Sequence, residues 1–192
     1  MITDRINWPP KHAPENADAH ITSRIVTDKV TPEQVWPYLT NLSDWPRFTR
    51  DIADTQFTDI TIADPHLFHK AQFIVNTDRF SLVANVLEAV PPKADRPGRI
   101  SFEGEATGKG QLEGIRFTFV QACLLCELHD HSLQATSEIV LFGDDVKKFM
   151  TMNPATIDNF NTEWLHGLIG YVTDHEAHTN HPRNPSSGAM VP

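Results

Sequence analysis

His69 is the side chain of this sequence best suited to proton transfer inside a folded domain. It begins the run HKAQFIVN, in which alternate residues are apolar as in a half-buried strand. An imidazole titrates at about pH 6.5, so a histidine in a cavity can act as general acid or base on an enolisable ketone. We therefore take His69 as the candidate catalytic residue. The alternative is a hydrogen-bonded histidine in the core or at the rim of the domain.

Three further polar side chains can orient a small molecule. Gln121 and Ser137 occur in apolar runs that alternate as strands, and Asn161 lies beside the apolar stripe of a helical pattern. Buried amides and hydroxyls need hydrogen-bond partners, which a ligand carbonyl or hydroxyl can supply. They can equally pair with one another or with water, so both interpretations stay open.

Cys123, Cys126, His129 and His131 have residue types that bind zinc. On an extended strand, however, Cys123 and His129 would be roughly 20 Å apart at about 3.3 Å per residue, too far for one tetrahedral ion. We expect no metal and no cofactor, because the sequence also lacks a glycine-rich phosphate loop. The two cysteines are predicted to be small buried residues, as in a protein of a reducing compartment.

The elements that must position these side chains follow a recognisable order. A β-branched run from His20 to Asp28 predicts the first strand, and Thr31-Pro32-Glu33-Gln34 predicts a helix start with a capping box. A second short helix follows Ser43-Asp44, and a long amphipathic helix runs from Asn153 through His175. Between them, strands are predicted over residues 53–60, 67–76, 79–90, 99–105, 114–128 and 131–142.

Strand parity predicts an apolar inner face and a polar outer face. A turn at Thr77-Asp78 sets Val75 opposite Phe80, and a turn near Asp130 sets Cys123 opposite Ser137. The predicted inner residues are His69, Ala71, Phe73, Val75, Phe80, Leu82, Ala84, Val86, Ile100, Phe102, Phe117, Phe119, Gln121, Cys123, Leu133, Ala135, Ser137 and Ile139. The predicted outer residues are Lys70, Gln72, Ser81, Asn85, Ser101, Glu103, Glu105, Gln134, Thr136 and Glu138.

Length and composition predict one soluble domain. The chain has 192 residues, 40% hydrophobic and 21% charged, with a net charge of −9 that argues against nucleic acid as a partner. We expect a flexible tail over residues 1–19, a single domain over 20–178 and a disordered tail over 179–192. No stretch predicts a membrane span or a signal peptide, so the expected location is cytoplasmic. The sequence gives no indication of oligomeric state.

The segment ITSRIVTDKVTPEQVWPYLTNLSDWPRF resembles the START/SRPBCC superfamily, which includes the birch pollen allergen. The resemblance rests on Thr31-Pro32-Glu33-Gln34-Val35-Trp36 and on Asp44-Trp45-Pro46, and it is strongest to the polyketide cyclase/dehydrase and lipid-transport group. It extends from about His20 to His178. It implies an α+β helix-grip fold: a curved seven-stranded antiparallel sheet wrapped around a long C-terminal helix, with two short helices after the first strand.

The resemblance also implies an internal cavity that holds a hydrophobic or aromatic small molecule. The ligand-binding residues expected on this basis are Trp45, Phe48, Phe73, Phe80, Phe102, Phe117, Phe119, Gln121, Ser137, Asn161, Trp164 and Leu168. Two functions remain open. One is an enzyme of the polyketide cyclase/dehydratase type that uses His69; the other is a non-catalytic carrier or sensor of an apolar ligand. Cyclases of this group are thought to use an arginine or other polar side chain in the cavity, and the inner face of residues 67–76 has no arginine.

Overall fold

The structure, a computed structural model, describes residues 5 to 179 of the chain. The elements in chain order are β1 Ala19–Thr27, α1 Pro32–Thr40, α2 Trp45–Phe48, β2 Ile52–Phe57, β3 Gln72–Thr77, β4 Phe80–Val90, β5 Gly98–Gly108, β6 Arg116–Glu127, β7 Leu133–Phe142, α3 Asp144–Met152 and α4 Thr156–Thr179. The tail predicted over residues 179–192 lies outside the described residues except for Thr179, which ends α4. None of the helices in residues 5 to 179 combines the length and the apolar composition that a bilayer span requires.

The strands form one seven-stranded antiparallel sheet in the order β1-β7-β6-β5-β4-β3-β2. Consecutive strands from β2 to β7 are neighbours, and β1 pairs with β7 at the far edge. Helix α4 packs against β1, β7, α1 and α2. The sheet therefore curves around the helix, and the core lies between them.

The first helix begins where its capping residues predict. The Gln34 backbone N–H donates to Thr31 Oγ1 at 3.4 Å, and the Thr31 backbone N–H donates to Gln34 Oε1 at 2.8 Å. Both donors would otherwise be unsatisfied at the start of the helix, and Pro32 lacks an N–H to satisfy. This reciprocal pair confirms the predicted capping box.

Apart from His69, the predicted inner face of the sheet is confirmed, although one turn lies a residue later than expected. Val75 pairs with Leu82, not with Phe80, because β3 ends at Thr77 and β4 begins at Phe80. Moving the partner by two residues keeps each side chain on its face, since strand side chains alternate with a period of two. Phe73 is 0% exposed as a result. The register of β6 and β7 agrees with the prediction in full: Cys123 pairs with Ser137.

The outer face is less polar and better covered than predicted. Ser101 and Thr136, which were expected to point to water, are buried. Residues 5 to 18, predicted as part of a flexible tail, lie against this face: the Asp18 N–H donates to the Leu141 carbonyl, and the buried His12 contacts the ring of Phe142 at 5.5 Å. The segment covers apolar residues on the outer side of β6 and β7, which is why the polar residues beside them are buried as well.

Helix α3 was not predicted. It begins after Gly143, whose φ of 126° lies in a region that favours glycine, and it buries Val146 and Phe149. With so few apolar positions in one short segment, the sequence shows no helical period long enough to recognise. Phe149 contacts Phe80 at 5.4 Å and Phe117 at 5.6 Å, so α3 covers one end of the inner sheet face.

Candidate ligand cavity

A cavity of about 190 Å³ lies between the sheet and the first turns of α4. Strands β4, β6 and β7 contribute its sheet wall, and α4 contributes Ile157 and Phe160. The sheet side chains that line it are Phe80, Leu82, Phe117, Phe119, Ile139 and Leu141. Side chains alternate between the two faces of a strand, and in these strands the apolar side chains occupy the inner face. The walls therefore favour an apolar guest.

Polar side chains surround the mouth of the cavity. Asp51, Asp78 and Arg79 line it and are exposed to solvent. The Arg79 guanidinium donates from Nη1 to Thr156 Oγ1 at 3.1 Å, which joins the β3–β4 turn to the first residue of α4. The backbone N–H of Phe80 donates to Thr77 Oγ1 at 2.9 Å and fixes the same turn. The mouth is thus held by side chains from two elements.

A buried chain of hydrogen bonds ends at the inner wall. The Asn161 amide donates from Nδ2 to the Ser137 carbonyl at 3.0 Å, and the Ser137 hydroxyl donates to Asn161 Oδ1 at 2.7 Å. Gln121 then donates from Nε2 to Ser137 Oγ at 3.1 Å. Gln121 is the member of this chain that lines the cavity, while Ser137 and Asn161 lie behind it and are fully buried.

The volume of the cavity limits the size of a guest. Small-molecule sites usually enclose about 300 to 1,000 Å³, whereas an apolar cavity of about 150 Å³ holds one benzene molecule. At about 190 Å³ this cavity has room for one aromatic ring with a small substituent. A larger ligand would have to extend through the mouth.

Comparisons with solved structures identify the fold. No protein-family model matches the chain, and no curated protein matches it in sequence. A crystal structure of a hypothetical protein from Helicobacter pylori is similar over 90% of this chain and 98% of its own, with a TM-score of 0.77 and 20% identity. The chain has the helix-grip fold, in which an antiparallel sheet curves around a long C-terminal helix.

Two other solved structures share this fold. A point mutant of norcoclaurine synthase from Thalictrum flavum, solved with a transition-state analogue, has a TM-score of 0.52 and 9% identity and covers 82% of this chain and 96% of its own. Ara h 8.0201 has a TM-score of 0.50 and 10% identity and covers 81% of this chain and 99% of its own. At such low identity the likeness establishes the fold.

Most of the large aromatic residues predicted to bind a ligand instead pack against one another in the helix-grip core. Trp45 lies 5.8 Å from Phe73, 5.8 Å from Phe102 and 5.6 Å from Trp164, measured between ring centres. The Trp45 indole N–H donates to the Leu39 carbonyl at 3.0 Å, which satisfies its polar atom. Phe48 contacts Trp164, and Leu168 is fully buried. These side chains fill one end of the interior and do not line the cavity.

The predicted position of His69 is wrong. Its side chain is exposed, it lies in the loop between β2 and β3, and its Nδ1 is 2.9 Å from the Leu87 carbonyl oxygen. The strand expected from residue 67 begins only at Gln72, because Lys70 has a φ of 69° that no strand adopts. Earlier in the same loop, the Asp59 carboxylate accepts hydrogen bonds from the backbone N–H and the hydroxyl of Thr61, which offers the backbone an alternative to strand pairing.

Sequence reasoning found part of the cavity wall and missed the rest. Phe80, Phe117, Phe119 and Gln121 were expected to bind a ligand and do line the cavity. Four missed lining residues belonged to the predicted inner face or to the apolar stripe of the long helix: Leu82, Ile139, Ile157 and Phe160. The other missed residues belonged to neither set: Asp51, Thr77, Asp78, Arg79, Leu141 and Thr156. The alternation of apolar residues identifies the inner face of a strand. It does not show which part of that face is left open by the neighbouring side chains.

The buried thiols do not form a metal site in the part of the chain that is described. Burial raises the pKa of the Cys123 thiol to about 12, against a weaker opposing effect of the hydrogen bond to Ser137. Cys123 Sγ lies 3.6 Å from Ser137 Oγ. Among residues 5 to 179, no group of three or more His, Cys, Asp or Glu side chains is arranged to hold a metal ion.

Proposed function

We propose that this protein binds a small hydrophobic or aromatic molecule in the cavity between the sheet and α4, as a non-catalytic carrier or sensor. The observation that carries the proposal is the composition of the wall: phenyl and alkyl side chains, with the amide of Gln121 as the polar group at the inner end. Binding sites for small molecules typically combine apolar walls with a few placed polar groups. The complex of norcoclaurine synthase with a transition-state analogue supports the ability of the fold to hold a small molecule.

The polyketide cyclase or dehydratase alternative relied on a histidine in the cavity. His69 is exposed outside it, and the amide of Gln121 does not ionise near neutral pH and so cannot act as a general acid or base. The ionisable side chains that line the cavity are Asp51, Asp78 and Arg79, all of which are solvent-exposed at its mouth. A catalytic acid or base is more effective where burial tunes its pKa, so the site favours binding over proton transfer.

Two tryptophan substitutions on β4 test the proposal. Leu82 points into the cavity, whereas the adjacent Val83 is 49% exposed on the opposite face. Leu82→Trp should fill the cavity and abolish binding of toluene, while Val83→Trp should leave binding unchanged. Toluene affinity is measured from chemical-shift changes in titrations of the two variants and the unmodified protein.

The outcomes separate clearly. The proposal is supported if Leu82→Trp loses toluene binding and Val83→Trp keeps it. Equal toluene binding in both variants would show that the apolar guest lies elsewhere, and no binding by the unmodified protein would overturn the proposal. Native mass spectrometry of freshly purified protein provides an independent search for a small molecule that remains bound.

We also propose a reducing compartment such as the cytoplasm. Neither Cys123 nor Cys126 is in a disulfide and both are buried, as expected for a protein that does not rely on disulfides.

A further inference from the structure

We propose that the ligand carries an O–H or N–H group on its ring and that this group donates a hydrogen bond to Gln121 Oε1. The inference rests on the proposed binding function and adds the chemical class of the ligand. It follows from the direction of the hydrogen bonds behind the cavity wall. The backbone carbonyl of Ser137 can only accept, and this fixed role determines which atom donates in each of the other hydrogen bonds.

The fixed group is the backbone carbonyl of Ser137, because a carbonyl oxygen accepts hydrogen bonds and never donates them. Asn161 must therefore present Nδ2 to this carbonyl, as it does at 3.0 Å. The opposite arrangement would bring two oxygens together in a buried site. The amide of Asn161 consequently has one orientation, with Oδ1 directed at the Ser137 hydroxyl.

The hydroxyl of Ser137 has a single proton, which it donates to Asn161 Oδ1. At 2.7 Å from Asn161 Oδ1, an atom that only accepts, the hydroxyl must donate. Its oxygen is then left to accept from the other side. Gln121 Nε2 at 3.1 Å and the Cys123 thiol at 3.6 Å both lie there, and both are donors.

The orientation of Gln121 follows from this requirement. Because Ser137 Oγ can only accept from it, Gln121 must turn Nε2 toward the serine, which leaves Oε1 free to face away from Ser137. Gln121 is 5% exposed and lines the cavity, and no donor among the described residues is paired with its Oε1. A ligand with a donor at this end of a mostly apolar cavity can hydrogen-bond to this acceptor, and a hydrocarbon cannot.

The remaining walls set the rest of the ligand. Phe117 and Phe119 precede Gln121 on the same face of β6, and Phe160 faces them from α4. With about 190 Å³ available, the buried part of the ligand is one aromatic ring whose O–H or N–H points toward Gln121. Phenol is the simplest probe of this class.

Binding of phenol, toluene and anisole to the unmodified protein and to Gln121→Met tests the inference. Toluene matches phenol in shape and has no polar group, whereas anisole has an acceptor oxygen and no donor. Methionine keeps the volume of glutamine and removes the acceptor. A neutral hydrogen bond contributes a factor of roughly 2 to 12 in affinity, so the preference for phenol over toluene should fall by about that factor in Gln121→Met. Comparing ratios between variants cancels differences in ligand hydration.

A second variant examines the direction of the hydrogen bonds. Ser137→Ala removes the acceptor that holds Gln121 Nε2, so the Gln121 amide becomes free to present either end to the cavity. The preference for phenol over anisole should then decrease, although Gln121 itself is unchanged. Melting curves of both variants establish that they are folded before binding is measured.

Each result has one meaning. If toluene binds and the phenol preference is the same in all three proteins, the donor inference is wrong and the proposed binding function stands. If the phenol preference falls in Gln121→Met and in Ser137→Ala, the inference is supported. If none of the three probes binds the unmodified protein, the proposed function itself fails.

Discussion

Replacement of Trp164 by alanine should remove a large part of the stability of the fold. Trp164 is 1% exposed and contacts Trp45 and Phe48 edge to face, at 5.6 and 6.2 Å between ring centres. A tryptophan buries about 150 to 250 Å², which at about 25 cal/mol per Å² amounts to about 4 to 6 kcal/mol before the share retained by alanine is subtracted. We therefore expect the free energy of unfolding to fall by about 3 to 5 kcal/mol.

Urea unfolding followed by far-UV circular dichroism measures this loss. The dependence of free energy on urea should be unchanged, since the variant exposes nearly the same surface on unfolding. His166→Ala is the matched control because His166 is exposed on the same helix, and its free energy should change by less than about 0.5 kcal/mol. A loss below about 1 kcal/mol for Trp164→Ala would refute the packing of α4 against α2 described above.

Three other perturbations test separate features of the fold. Gly167→Ala should destabilise by about 1 to 3 kcal/mol in thermal unfolding, because its Cβ would lie 2.0 Å from the Phe48 carbonyl oxygen, whereas Gly170→Ala meets open space and should gain up to about 1 kcal/mol. Burial lowers the pKa of His12, so the unfolded chain takes up a proton that the folded protein resists, and stability should fall as the pH drops through and below about 6.5; urea midpoints at several pH values should show a smaller fall in His12→Phe. Because burial raises the pKa of Cys123 to about 12, iodoacetamide should leave this thiol unmodified at about pH 8 until urea unfolds the protein, as mass spectrometry can show.

The fold could be predicted because several local signals agreed with one another. Thr31 and Gln34 specify a helix start through side-chain hydrogen bonds that depend only on neighbours in sequence. Strand parity is equally robust, since a turn misplaced by one residue left Phe73 and Val75 on the inner face. An error of parity would have exposed both side chains, which the burial of apolar surface strongly disfavours.

Strand ends were less predictable, and His69 shows the consequence. The apolar alternation continues before Gln72, so the pattern of apolar residues does not indicate that the chain leaves the sheet there. Lys70 adopts a positive φ although lysine has no preference for it, and local hydrogen bonds of Asp59 and Asp64 stabilise the loop. The predicted position of a functional residue is therefore least reliable when that residue lies near the end of a predicted strand.

The location of the cavity depends on a contact that strand patterns do not contain. Phe73 and Phe102 occupy inward positions just as Phe117 and Phe119 do, so parity treats the two pairs alike. What separates them is Trp45, which the short helix α2 inserts against the first pair. No side chain of α2 lines the space near the second pair, where the wall comes from the first turns of α4 and ends at the amide of Gln121. The site is thus determined by which end of the inner face α2 fills.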